Sequence, residues 1–231
     1  MDEILTPQQL EQAFAALRRV LPTDQPRAAK QFYALGDLQA AFRALKQPLA
    51  IAKERGGLIN PWSLASLGRD EIRNAAALAG LWMAEFGGEA SKRFLAYYLS
   101  AALPGSNWLG ELDPGYRAGT EVCPMGDAAD RVDIVIETAR YLIGVEVKIG
   151  AGLGREQLER YSASISRRAK LQNLVPRVVL LAPFRAAPSD ISSSSWSDVA
   201  RAAQATAARG ADDRTFVQLL IASFGDHVRA F

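Results

Sequence analysis

Two runs of β-forming residues, joined by a few residues, most constrain what this chain can fold into. They are residues 131–137 and 141–149, and both are rich in Val and Ile. Two such runs with a short connection predict an antiparallel hairpin. Because successive strand side chains point to opposite faces, one face of the hairpin is purely aliphatic and is expected to lie in the core. The residues of that face are Ile134, Ile136, Ile143, Val145, Val147 and Ile149.

The other face of the hairpin carries charged residues, namely Asp133, Glu146 and Lys148. If the turn consists of Ala139-Arg140, Asp133 lies directly opposite Glu146, with Cβ atoms roughly 4.5–5.5 Å apart. Two carboxylates that close require a proton on one of them or a cation between them. Carboxylate ligands without nitrogen or sulfur favour Mg²⁺ or Mn²⁺. The pair therefore predicts a divalent metal site.

The charged face also has an alternative interpretation, because acids and lysines are common on the solvated face of an ordinary hairpin. Val135 and Leu142 share this face, so we expect it to be partly covered. An ammonium at Lys148 would be placed to hold a phosphate oxygen or an attacking water beside a metal. Gly144 has no side chain, and we expect it to leave room for substrate.

The rest of the composition limits the chemistry that is available. The chain has one cysteine, Cys123, and one histidine, His227. An internal disulfide, a multi-cysteine metal site and a histidine-rich metal cluster are therefore excluded. A catalytic site of the Ser–His or Cys–His type would depend entirely on His227. We interpret His227 as a surface or helix-end residue away from every motif. Carboxylates, lysine, tyrosine or an oxygen-bound metal remain for catalysis.

Charge and apolar runs predict the partners and the location. The net charge of +2 is too small to imply a polyanion, but residues 151–185 hold seven Arg and Lys against two Glu. This local excess fits a phosphate-facing surface or a merely solvated helix face. Since the longest apolar runs are about half of the ~20 residues that span a bilayer, no membrane partner is expected. The first thirty residues lack a signal-peptide pattern, and we expect a cytoplasmic protein.

The order of predicted elements indicates an α/β fold with a core of the form αβββαβ and extra helices at both ends. Residues 1–60 are predicted to be an N-terminal helical extension and residues 61–231 one domain. Helices are expected after Thr6 and from about 35 to 46, where Pro48 would end the second. The serines at 192–195 are interpreted as linker and cap. The N-terminal helices are expected to cover the core, to form a homodimer surface or to dock a protein partner, and these alternatives stay open.

Two motifs together give the chain a resemblance to a known family. Val132-Asp133, twelve intervening residues and Glu146-Val147-Lys148 are followed by a Gln-x-x-x-Tyr spacing at Gln157 and Tyr161. This combination resembles the PD-(D/E)XK nuclease superfamily, in its bacterial, RecB-like form, with Val132 in place of the usual proline. Residues 60–74 and 196–199 also resemble an uncharacterised bacterial group of that superfamily. The resemblance covers roughly residues 60–231 and implies a restriction-endonuclease-like core, with a mixed central sheet flanked by helices.

The resemblance also implies roles for matching residues. Glu71, at the start of a predicted helix, would join the metal ligands, although a helix-dipole acid is an equal alternative. Gln157 and Tyr161 would act at the metal shell or scissile phosphate, the alternative being a buried polar residue and a core tyrosine. The arginines would contact backbone phosphates or lie on the surface. The implied metal ligands are Asp133, Glu146, the Val147 carbonyl and Glu71, the catalytic residues are Asp133, Glu146, Lys148, Gln157 and Tyr161, and the nucleic-acid-binding residues are Arg73, Arg155 and Arg160.

The activity that the resemblance implies is hydrolysis of phosphodiester bonds in DNA by a Mg²⁺- or Mn²⁺-dependent nuclease. RNA is an alternative substrate, and the sequence does not separate endonuclease from exonuclease action. A nuclease-like fold that has lost catalysis and serves in nucleic-acid binding or protein assembly is a second interpretation. A purely structural or partner-binding protein with a wet hairpin face is a third.

Overall fold

The computed structural model describes residues 34–54, 58–122, 132–150, 155–183, 191–207 and 213–231, with the side chains of residues 121–122 and 155–157 left out. The chain divides into two units, residues 1–57 and 58–231. The predicted division into residues 1–60 and 61–231 stays a prediction. The helix expected after Thr6 lies outside the described residues.

In the first unit, helix α1 spans Leu35–Glu54. The prediction that Pro48 ends this helix is wrong, because Pro48 lies inside it. A proline inside a helix costs about 3 kcal/mol relative to alanine. Leu, Ala and Lys on both sides of Pro48 are strong helix formers, and the helix continues through the proline.

The second unit is built on a five-stranded mixed sheet, whose strands in spatial order are β1 Tyr116–Val122, β2 Val132–Thr138, β3 Tyr141–Val147, β4 Val175–Leu181 and β5 Ser192–Ser194. The pairs β1–β2 and β2–β3 are antiparallel, whereas β3–β4 and β4–β5 are parallel. This confirms the predicted α/β class and mixed central sheet.

The hairpin between β2 and β3 has the predicted register. Ile136 pairs with Ile143, and Ile134 pairs with Val145. The aliphatic face lies in the main hydrophobic core, as expected, and the opposite face contributes Val135 and Leu142 to a second, smaller core. The sheet is therefore covered on both faces.

Helices lie on both faces of the sheet and follow local capping signals. Asn60 caps the helix Pro61–Leu64 by accepting from the amides of Trp62 and Ser63, and Ser195 and Thr215 form capping boxes at the helices that begin at Trp196 and Phe216. No helix among the described residues is long and apolar enough to cross a membrane. The helices of this unit are α2 Pro61–Leu64, α3 Glu71–Trp82, α4 Ala84–Ala102, α5 Trp108–Leu112, α6 Arg155–Gln172, α7 Trp196–Thr206 and α8 Phe216–Val228.

The serine run corrects one prediction. Ser192–Ser194 form strand β5 beside β4, although these residues were expected to be a linker. The Ala182 amide donates to the Ser194 carbonyl at 3.1 Å, and the buried Tyr98 hydroxyl lies 2.8 Å from the Ser194 hydroxyl. The serines therefore supply backbone to the sheet and one polar partner to the core. Ser195 caps α7, as predicted.

Candidate active site

The first turn of α3 meets the end of β3 at Glu71. The helix begins there because the Asp70 side chain caps it, accepting from the Arg73 amide at 3.0 Å. Glu71 Oε2 accepts a hydrogen bond from the Ile149 amide at 2.8 Å. Its other oxygen, Oε1, lies 3.5 Å from Lys148 Nζ. Glu71 is thus brought to the charged face of the hairpin, although it precedes Lys148 by 77 residues.

Asp133 connects β2 to the end of β3. Its Oδ2 atom accepts from the Val147 amide at 2.8 Å, and its side chain is half-buried. Continuation of the hairpin register places Asp133 opposite Glu146, as the sequence predicts. The hydrogen bond from the Val147 amide fixes the Asp133 carboxylate beside Glu146 and Lys148, the residues on either side of Val147.

Lys148 and Glu146 form the closest ion pair of the cluster. Lys148 Nζ lies 2.7 Å from Glu146 Oε1, and the two side chains are only 11% and 2% exposed. The Lys148 backbone is held on both sides, because its amide donates to the Leu181 carbonyl and its carbonyl accepts from Trp196 Nε1, each at 2.8 Å. The position of the lysine is therefore set by β4 and α7 as well as by its own strand.

Burial and mutual charge perturb the protonation of this cluster. Burial raises the pKa of Glu146 to about 7, and the negative charge of Asp133 adds to the rise despite Lys148. Burial also raises the pKa of Asp133, against the opposing effects of the Val147 amide and Lys148. Burial lowers the pKa of Lys148, but Glu146, Glu71 and Asp133 outweigh it, so the net shift is upward. Three carboxylates share one ammonium, and the cluster is deficient in positive charge.

This charge deficit and the all-oxygen donor set fit a hard divalent cation. Asp133, Glu146 and Glu71 offer carboxylates, and Val147, the implied carbonyl ligand, binds Asp133 through its amide. Within the described ranges, no set of three or more His, Cys, Asp or Glu side chains is arranged to hold a metal ion. The Lys148 ammonium instead contacts the carboxylates directly. A cation at this cluster would therefore compete with Lys148 for Glu146.

Gly144 has a packing role that the sequence did not reveal. A Cβ atom at this position would lie 2.9 Å from Ile165 Cγ1, 3.0 Å from Ile165 Cδ1 and 3.4 Å from Val132 Cγ1. Ile165, on α6, is fully buried. The expectation that Gly144 leaves room for substrate is wrong, because Ile165 fills that space and the glycine lets α6 approach the sheet closely.

The predicted residues on α6 are not all described. Tyr161 is buried in the second core with Val135 and Ile165, which is the position of a core tyrosine. Arg160 is exposed. Gln157 and Arg155 belong to α6, but their side chains are outside the described residues. The roles of all four stay predictions.

Arg73, predicted to contact phosphates, is exposed on α3. Its guanidinium donates to the carbonyls of Ser66 at 2.8 Å and Ala65 at 2.5 Å, just after α2. These bonds tie the α2–α3 connection together. They give Arg73 a structural function whether or not it also binds a phosphate.

Arg69 and Trp196 support the site in ways that the sequence did not indicate. Arg69 donates to the Ile149 carbonyl at 2.8 Å and to the Ala230 carbonyl at 3.2 Å, and its guanidinium lies 5.3 Å from the centre of the Phe231 ring. Trp196 also packs edge-on against Phe231 and donates to the Lys148 carbonyl. These contacts join segments that are far apart in the sequence, and no local sequence pattern predicts them.

His227 lies at the end of α8, as predicted, but it is not away from the motifs. Its Nε2 atom is 3.1 Å from Asn74 Oδ1, on the helix that begins with Glu71. Its ring packs against Phe224 and Phe231, and burial lowers its pKa. Phe224 and His227 are three residues apart on α8, and this helical spacing is the sequence signal that would have indicated a partly buried histidine.

Comparison with known proteins agrees with this geometry. The family model of the PD-(D/E)XK nuclease superfamily matches residues 89–219, which is more than half of the chain. The matched segment contains the whole sheet and the residues Asp133, Glu146 and Lys148, whereas Glu71 precedes it. No curated protein and no solved structure matches the chain. With its mixed sheet and the extent of this match, the chain belongs to the PD-(D/E)XK nuclease superfamily.

Proposed function

We propose that this protein is a divalent-metal-dependent nuclease that hydrolyses phosphodiester bonds in DNA. The observation that carries the proposal is the convergence of Glu71, Asp133 and Glu146 around Lys148, on three separate elements of a superfamily fold. Membership of this superfamily suggests phosphodiesterase activity. The DNA substrate, the metal and the roles of the residues are the parts that we add.

Asp133, Glu146, Glu71 and the Val147 carbonyl would hold the ion, which is Mg²⁺ or Mn²⁺ on the chemistry of these donors. When bound, such an ion supplies positive charge against a phosphate and acidity to an attacking water. The raised pKa of Glu146 supports this assignment, because a buried carboxylate beside Asp133 gains most from a nearby cation. Lys148 would then exchange its contact with Glu146 for one with the substrate.

Lys148 acts in this proposal as a fixed positive charge. Burial lowers its pKa, but the surrounding carboxylates outweigh this effect, so Lys148 is an ammonium at neutral pH in the metal-free protein. An ammonium aimed at the reacting phosphate stabilises the negative charge that develops in the transition state. Trp196 and Leu181 hydrogen-bond the backbone of Lys148, and these bonds limit the movement of its side chain away from the carboxylates.

One observation favours a second candidate function, a nuclease-like fold that binds nucleic acid without cleaving it. The ammonium of Lys148 already contacts Glu146 at 2.7 Å, and this pair offsets the charge of Glu146 without any metal. Titration calorimetry with Mn²⁺ separates the two candidates. If the protein is a nuclease, the wild type should bind Mn²⁺ and Asp133→Asn should lose this binding. If the fold is inactive, both the wild type and Asp133→Asn should release little heat.

The test of the proposed nuclease is cleavage of end-labelled single- and double-stranded DNA, with RNA in parallel, in Mg²⁺, Mn²⁺ or EDTA. We expect cleavage of DNA with a metal only, and a loss of at least about 100-fold in Lys148→Ala and Asp133→Asn. Lys92→Ala is the matched control, because Lys92 pairs with Glu89 and Asp113 at the surface. Equal cleavage by Lys148→Ala and Lys92→Ala would refute the assignment of the active site.

A further inference from the structure

A second charged feature lies on the face of the sheet that packs against α6. It is a cleft of about 170 Å³ between β1, β2 and α6, which we name the arginine cleft. Arg117 and Arg168 lie against a single acid, Glu137, so the cleft carries a net positive charge. Its lining residues are Arg117, Ala118, Gly119, Val135, Glu137 and Arg168.

The strand register aligns this cleft with the candidate active site. Val135 and Glu137 alternate along β2 and share the face that packs against α6, and Asp133 lies four residues before Glu137 on the same strand. On β1, Gly119 pairs with Val135 and Arg117 pairs with Glu137. Val135, between Asp133 and Glu137, is buried under α6, whereas Gly119 on the edge strand β1 is partly exposed, so the route from Asp133 to the arginine cleft lies along β1. Gly119 puts no side chain across this path.

The two arginines are held differently. Arg168 donates to Glu137 at 3.0 Å, and Gln172 reaches the same oxygen at 3.4 Å, so the Arg168 guanidinium is fixed at the wall formed by α6. Arg117 is exposed and forms no ion pair within the described parts of the chain. A guanidinium binds phosphate oxygens through paired hydrogen bonds, and two of them facing one cleft favour an anion.

The spacing matches a nucleic-acid backbone. Glu137 lies four residue steps along β2 from Asp133, which is about 13 Å at the rise of an antiparallel strand. At the rise of about 3.4 Å per nucleotide of a stacked strand, that is no more than about four nucleotides. A strand whose reacting phosphate lies at Asp133 and Lys148 therefore has another phosphate within reach of Arg117.

We propose that the arginine cleft binds a backbone phosphate of the substrate strand, up to about four nucleotides from the phosphate that is cleaved. This inference rests on the proposed nuclease function and adds a second anchoring point for the polynucleotide. It makes a strand that reaches the cleft a better ligand than a strand too short to reach it.

The test is fluorescence anisotropy of labelled single-stranded DNA in EDTA, with oligonucleotides of increasing length. Arg117→Ala should weaken binding of a long oligonucleotide about tenfold and reduce the slope of log K against log salt by about 1. It should also remove the gain in affinity that the wild-type protein shows when the strand becomes long enough to reach the cleft. Arg117→Ala suits this test because its exposed side chain makes no ion pair with described residues.

Arg177→Ala is the matched control, since Arg177 is an exposed strand arginine on the opposite face, paired in register with the core residue Ile143. Its affinity and salt slope should equal those of the wild-type protein. If Arg117→Ala behaves like Arg177→Ala while Lys148→Ala alone abolishes cleavage, the arginine cleft is refuted and the nuclease stands. If the wild-type protein neither binds nor cleaves DNA or RNA, both proposals fail.

Discussion

Replacing Gly144 by alanine tests the contact that brings α6 onto the charged face of the sheet. The new Cβ atom would lie 2.9 Å and 3.0 Å from two carbons of Ile165, well inside the ~3.5–4.0 Å of a favourable carbon contact. Ile165 is fully buried and has little room to move. The glycine is therefore required by packing, and the substitution should destabilise the fold.

The size of the effect follows from two opposing contributions. Forcing an extra carbon into a packed core costs about 1–3 kcal/mol. Replacing glycine by alanine stabilises the fold by about 0.4–1 kcal/mol, because it lowers the conformational entropy of the unfolded chain. The free energy of unfolding should therefore fall by about 1–2 kcal/mol in Gly144→Ala. Because Ile165→Ala removes both close carbons, the double variant should show a favourable coupling of about 1 kcal/mol.

Urea denaturation of the wild type, both single variants and the double variant measures this coupling. Gly80→Ala is the control, because a Cβ there meets nothing within 4 Å, and the substitution should stabilise helix α3 slightly. A neutral Gly144→Ala variant with no coupling to Ile165 would refute the packing argument. An unchanged free energy of unfolding with a raised KM for DNA would instead restore the idea that Gly144 leaves room for substrate.

Two further predictions concern the ion cluster itself. The pKa of Glu146 is raised from 4.5 to about 7 in the fold, so this group stabilises the metal-free protein fully below pH 4.5 and loses about 3 kcal/mol as the pH rises through 7. Urea denaturation in EDTA should show this loss relative to Glu146→Gln, and a difference that does not vary with pH would contradict it. Trp196→Phe removes the hydrogen bond to the Lys148 carbonyl, and kcat for DNA cleavage should fall several-fold with KM little changed. An unchanged kcat would show that the indole does not position Lys148.

The hairpin and the acids and lysine that it carries could be predicted from the sequence because they depend on local rules. A two-residue period assigns Ile134 and Ile136 to one face and Asp133 to the other, and the turn at Ala139-Arg140 fixes the register. The spacing of Asp133, Glu146 and Lys148 then determines which groups meet. Glu71 could be suggested only through the family resemblance, because it lies 77 residues before Lys148 and no local rule brings the two side chains together.

The contacts that the sequence did not predict all join distant segments. Ile165 against Gly144, and Trp196 against the Lys148 carbonyl, depend on how helices approach the sheet. Ser192–Ser194 form a strand because β4 offers an edge to pair with, although serines have little strand preference of their own. In each case the tertiary environment outweighs the local preference of the residues.

The central claim is that Asp133 and Glu146 hold a divalent ion beside Lys148. A crystal soaked in Mn²⁺ and measured for anomalous scattering tests it most directly. We expect an anomalous peak within coordination distance of both carboxylates, with the Lys148 ammonium turned away from Glu146. Density without a peak there, in a crystal where Lys148 still pairs with Glu146, would contradict the account.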